Sequence, residues 1–139
     1  MPTLDLSVSS VDLTRTICDI PSVSGDEETL ADAIFATMSP LDHLEVYRDG
    51  DTIVARTDLG RAQRAVIAGH IDTVPINGNV PTKDITVDGE PFLWGRGTVD
   101  MKAGVAVQLK LAAELTDPRV DITWMWYDHE EVDLSLIHI

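Results

Sequence analysis

The sequence predicts an α/β fold, a mixed and largely parallel sheet flanked by helices, on three observations. The run RAVIAG (64–69) is short, apolar and bounded by glycine, as a strand buried on both faces is. The stretch MKAGVAVQLKLAAEL, rich in Ala and Leu, follows Gly97 and ends at Asp117-Pro118, which is the composition of a helix with a wide buried face. DITWMWY (121–127) is a further core strand, so that strand, loop, helix and strand make a βαβ-like unit.

Upstream of this unit, Leu13, Ile17 and Ile20 recur at helical spacing and Pro21 closes a short amphipathic helix. A second helix is expected after Ser24 and Glu27, which are spaced as a capping box. Asp26 and Glu28 favour the positive end of its dipole, and Leu30, Ala33, Ile34 and Met38 form one apolar stripe before Pro40. From Leu44 the period changes to two, and Asp49-Gly50 marks a hairpin turn between LEVYR and TIVART. Residues 77–93 hold Gly, Pro and Asn with little periodicity, which predicts a long loop with a short hairpin around Asp88-Gly89.

The 139 residues have room for one domain, and a hydrophobic share of 44% is enough to build its core. A formal charge of -14, from 24 acidic against 10 basic residues, disfavours nucleic acid, whose phosphates demand clustered Lys and Arg. Most of the acids are expected on a solvated surface, leaving a minority as ligands. Cys18 stands alone among apolar residues, which fits a buried thiol in a reduced, cytoplasmic compartment. MPTLDLSVSS has no basic stretch followed by an apolar run, and no run of about eighteen apolar residues occurs anywhere. Neither secretion nor membrane insertion is expected.

Ligands of open α/β sheets bind beyond the carboxyl ends of the strands, and three acid or His clusters fall there: GHIDTVP, GRGTVDMKAG and DHEE. His70 and Asp72 are two residues apart and project to one side, so the carboxylate can accept the second ring N–H of a metal-bound imidazole; a merely structural hydrogen-bonded pair reads equally well. Asp100 stands between a glycine-flanked turn and a helix, where it suits a bridging ligand or a helix N-cap. Glu130 and Glu131 follow a very apolar strand. Adjacent carboxylates there are either an exposed strand end or a pair compensated by a cation, one coordinating it and the other moving protons. His129 is read as non-ligating, Lys102 as a solvated or locally paired charge, and His43 and His138 belong to no motif. No G-x-S-x-G elbow supports a serine nucleophile. GRGTVD half-matches a dinucleotide-binding loop with Asp117 about twenty residues on, but Asp100 occupies the place of the third glycine.

With these residues in view, the chain resembles, over most of residues 10–133, the family of acetylornithine deacetylases, desuccinylases, aminoacylases and zinc carboxypeptidases. AGHIDTVP, GRGTVDMKAG and HEE match its three metal motifs in order, and IPSVSGDEE and AGHIDTVPINGNVPTK are most similar to its actinobacterial succinyl-diaminopimelate desuccinylase branch. The resemblance implies two zinc ions, with cobalt as a substitute. It implies that His70 binds one, Asp100 bridges both and Glu131 binds the second, while Glu130 is general base and acid and Asp72 orients His70. It further implies a non-proline cis peptide after Asp100, a small N-acylated amino acid as substrate (N-succinyl-LL-2,6-diaminopimelate, hydrolysed to succinate and LL-2,6-diaminopimelate), and a homodimer in the full-length form. A related N-acyl amino acid deacylase or metallocarboxypeptidase, such as an acetylornithine deacetylase, shares these motifs. On this reading residues 1–133 are the truncated amino-terminal part of the catalytic domain and 134–139 a tail unlike the family. The further acidic ligand, the carboxyl-terminal His and the dimerisation domain have no counterpart, so weak metal affinity and little turnover are expected of this chain alone, at the limit an inert folded fragment.

Overall fold

The computed structural model describes residues 3–132; the expected tail 134–139 and His138 lie outside them. Helix α1 (Ser10–Cys18) starts where the Ser9 hydroxyl accepts the Asp12 N–H, and buries Leu13, Ile17 and Cys18 completely. Helix α2 (Glu28–Met38) buries Leu30, Ala33, Ile34 and Met38, the stripe its sequence predicts. Strands β1 (Glu45–Asp49) and β2 (Thr52–Arg56) form the expected hairpin, in which Gly50 takes a φ of 59° that a two-residue turn demands. Strand β3 (Arg64–His70) is followed by a loop and then by the expected hairpin around Asp88-Gly89, formed of β4 (Lys83–Val87) and β5 (Glu90–Trp94). Helix α3 (Lys102–Glu114) then crosses to β6 (Asp121–Tyr127), which pairs in parallel with β3 from Arg64↔Asp121 to His70↔Tyr127.

The four-stranded sheet has the order β1-β2-β6-β3. It is mixed as expected, with its parallel pairing confined to β3 and β6 while β1-β2 and β2-β6 run antiparallel. β6 is central, and its Ile122, Trp124 and Trp126 join Ile53 and Ala55 of β2, Val105 and Leu109 of α3 and the stripes of α1 and α2 in one core. The expectation that 64–69 is buried on both faces does not hold. β3 lies at the sheet edge, its residues alternate between exposed and half-buried, and Val66 is 63% exposed; only Gly69 and His70 at its carboxyl end are buried. Apolar composition alone does not separate a half-covered edge strand from a central one.

Lys102 is not the solvated or locally paired charge expected of it. Its side chain is 1% exposed, and its ammonium donates to the Ile17 and Ile20 carbonyls, 3.0 and 2.8 Å away, at the carboxyl end of α1. Burial pushes its pKa down to about 8 against the charges of Cys18 and Asp19. The stem of Lys102 packs against Gly97, whose φ of 86° disfavours a side chain and where an added Cβ would lie a tight 3.0 Å from Lys102 Cδ.

Asp121 clasps the start of β6 to the loop after β2. Its carboxylate accepts the Leu59 and Arg61 N–H groups, each at 2.8 Å, and the Thr57 hydroxyl at 2.7 Å. Led by the Leu59 N–H, these bonds outweigh burial and hold the carboxyl at about 2, below its ordinary 3.8. A depressed carboxyl pKa gives stability that is present above the ordinary value and lost as pH falls through the folded one. Unfolding midpoints measured on acidification are therefore expected to drop between pH 3.8 and about 2. In Asp121→Asn that component of the drop disappears and the midpoint at neutral pH is lower.

Candidate metal centre

β3 and β6 end side by side, and the chain leaving each carries the acid and imidazole groups. His70, the last residue of β3, is 4% exposed. Its Nδ1 lies 2.9 Å from the main-chain oxygen of Asp72 and 3.4 Å from that residue's Oδ1. A carbonyl only accepts, so Nδ1 carries a proton and Nε2 faces the opening. There Nε2 lies 2.9 Å from Asp100 Oδ1 and 3.9 Å from both Glu130 Oε2 and Glu131 Oε1. The donor atoms of His70, Asp100 and Glu131 all fall within 4.8 Å of one another. Asp100 heads the turn before α3, and its peptide bond to Met101 is cis. It does not cap that helix, whose N-cap is Met101 with no side-chain hydrogen bond.

The electrostatics follow from three carboxylates around one imidazole. Burial works against charging His70, but the hydrogen bonds to Asp100 and the Asp72 carbonyl, with both carboxylate charges, raise its pKa above 6.5. Glu131 is raised by burial first, then by its hydrogen bond with Asp100 and the charges of Glu130 and Asp100. The Glu131 carboxyl is thus pushed up where the negative charges crowd, a place that suits a divalent cation. Burial also raises the Tyr127 phenol, with the same carboxylates adding to it, and its ring centroid lies 6.2 Å from that of His70. The cleft in front of Asp100 and Glu131 is walled by Val74, Arg96, Thr98 and Val99.

Asp72 is fully buried and does more than face His70. It accepts the Ser24 hydroxyl at 2.5 Å and the N–H groups of Glu130 and Glu131 at 3.1 and 2.8 Å, which together outweigh burial and keep its pKa low. Ser24 and Glu27 therefore do not form the expected capping box. Ser24 is drawn to Asp72, and Glu27, although it is the N-cap residue of α2, makes no side-chain bond to the helix. His129 stays out of the cluster, its Nδ1 3.2 Å from Asp128, and His43 bonds the Ala112 carbonyl. The signal for the extra residues was the stretch IPSVSGDEE, whose Ser and Glu spacing has a local explanation that conceals a long-range one.

Fold and donor set together define a class, an α/β protein whose parallel strand ends gather nitrogen and oxygen donors as metal-dependent hydrolases do. More particularly, the chain belongs to Peptidase family M20/M25/M40, whose sequence pattern matches residues 66–135. That membership sets aside the dinucleotide reading of GRGTVD. A succinyl-diaminopimelate desuccinylase of Corynebacterium glutamicum is 43% identical over 136 residues, covering 94% of this chain and 36% of that protein. The chain thus spans about a third of the length of the curated relatives it matches. Among solved structures, the M20 family metallo-carboxypeptidase Sso-CP2 of Sulfolobus solfataricus superposes with a TM-score of 0.71 at 17% identity, over 89% of this chain and 31% of that one. A tripeptidase of Staphylococcus aureus gives 0.70 at 20% identity, over 92% and 38%. These likenesses are of fold. No helix among the described residues is long and apolar enough to cross a membrane.

Proposed function

We propose that this chain carries the amino-terminal half of the metal centre of an amide hydrolase that, in its full-length form, cleaves N-succinyl-LL-2,6-diaminopimelate to succinate and LL-2,6-diaminopimelate. The observation that carries the reading is the convergence of Asp100, Glu130 and Glu131 on the buried imidazole of His70. The substrate class rests on the desuccinylase relative in Corynebacterium. The donor set fits zinc, and cobalt as its substitute. Nε2 of His70 and the carboxylates of Asp100 and Glu131 would hold the metal, with Asp100 shared by a second ion, and the cation would offset the negative charge gathered at Glu131 and Asp100. When bound, zinc supplies Lewis acidity for water and the amide carbonyl.

The chain's own groups do the rest. Asp72 fixes the ring of His70 through its main-chain oxygen and fixes the Glu130–Glu131 backbone through its side chain. Glu130, 43% exposed, takes the proton from the attacking water. Water oxygen bonds to the carbonyl carbon, the C–N bond breaks, and the amine leaves with the proton that Glu130 returns. Arg96 on the cleft wall offers positive charge to a substrate carboxylate. We place the reaction in the cytoplasm, consistent with the single buried Cys18, and the full-length form in a homodimer, as the family resemblance implies.

The test joins this chain to the remaining segment of the Corynebacterium relative and assays zinc-dependent release of amine. Glu130→Gln is expected to lower kcat by about 10²–10⁴-fold, the range for losing a general base, while zinc titration changes little. Undiminished turnover in the variant would refute the role. Faster hydrolysis of N-acetylornithine than of N-succinyl-diaminopimelate by the full-length form would move the substrate to the sister activity. Failure of the chain to bind zinc would mark an inert fragment.

A further inference from the structure

We propose that Ser24 and Glu27 are positioning residues for the candidate centre, anchoring through the backbone the turn that presents Glu130 and Glu131 to His70. The inference rests on the metal reading above only for its consequence, not for its geometry. Three consecutive N–H groups after β6 each donate to a fully buried carboxylate: His129 to Glu27 Oε1 at 3.2 Å, Glu130 to Asp72 Oδ1 at 3.1 Å and Glu131 to Asp72 Oδ2 at 2.8 Å. His129 has a φ of 59°, a left-handed conformation that a side chain adopts reluctantly. Such a bend turns successive amides to one side and makes a concave nest for negative charge. Two carboxylates fill it.

The loop before α2 supplies the rest of the anchor. Ser22 and Ser24 run alongside the chain leaving β3, joined by Thr73 N–H to the Ser22 oxygen at 2.9 Å, Ser24 N–H to the Thr73 oxygen at 3.0 Å and the Ser22 hydroxyl to the Ile71 oxygen at 2.6 Å. This places the Ser24 hydroxyl on Asp72. It also places Glu27, whose Oε2 accepts the Gly25 N–H at 2.8 Å, beneath His129. A carboxylate with no exposed surface is costly unless its bonds are needed, and those of Glu27 go to its own loop and to the turn bearing the two glutamates. The charged neighbours facing it are His129, with Nδ1 3.8 Å away, and, through the shared turn, Asp72 and Asp128.

The test compares Glu27→Ala, Glu27→Gln and Ser24→Ala in this chain by two readouts. Residue-resolved amide hydrogen exchange without metal is expected to show about tenfold faster exchange at His129 in Glu27→Ala, as loss of one hydrogen bond predicts, with a smaller effect in Glu27→Gln, which keeps one acceptor. Ser24→Ala is expected to speed Glu130 and Glu131, and none of the three to change Trp124 and Trp126 in β6. Titration with Co²⁺ alone, followed by its visible absorption, is expected to show about tenfold weaker binding in Glu27→Ala and partial recovery in Glu27→Gln. Unchanged exchange at 129–131, equal acceleration throughout β6, or faster exchange with unaltered Co²⁺ affinity would each overturn the proposal. If the parent chain binds no Co²⁺, it is an inert fragment as far as metal is concerned, and exchange alone decides whether the anchor exists.

Discussion

Replacement of His70 by alanine is expected to weaken zinc binding by at least about 100-fold, measured by calorimetric titration of the chain. Loss of a group that merely orients a ligand costs about 10–100-fold, and His70 is the one neutral donor at the centre of three acids. Without it, Asp100, Glu130 and Glu131 face one another with no imidazole between them, and the donor set loses its one nitrogen ligand for zinc. The variant is expected to fold, because the ring lies at the carboxyl end of an edge strand and the core cluster does not include it. Affinity within a few-fold of the parent would show that zinc binds elsewhere.

The largest loss of stability is expected from Trp124→Ala. Trp124 is 1% exposed on the central strand, between β2 and β3, and removing its indole leaves a cavity bounded by a backbone paired on both sides that cannot collapse into it. Such truncations cost about 3–5 kcal/mol, against a total stability of about 5–15 kcal/mol for a native domain. Denaturant unfolding is expected to show a midpoint lowered in proportion, with an unchanged slope. A cost under about 1 kcal/mol would mean that this part of the core is plastic.

How much of this was legible from sequence depends on the range of the interaction. Elements set by local periodicity and turn chemistry, such as the stripe of α2, the Asp49-Gly50 hairpin and the βαβ unit, lie where their residues predict. His70, Asp72, Asp100, Glu130 and Glu131 were legible as three separate clusters, and the register of β3 against β6 brings them together. Lys102, Ser24 and Glu27 were misread for one reason. Each has a satisfactory local role, as solvated charge or helix cap, and each is claimed instead by a partner 48 to 102 residues away. The exposure of β3 was hidden because strand order is not written in any one segment.

The bonds of Lys102 to the end of α1 close loops of 82 and 85 residues, and those of Asp72 and Glu27 to the turn after β6 close loops of 58 to 102. Contacts so distant along the chain carry the entropy of loop closure before they return any stabilisation. The centre is therefore a late product of folding, assembled after the hairpin and helices have formed. In a refolding experiment, the capacity to bind metal is expected to appear after most of the helical signal has returned.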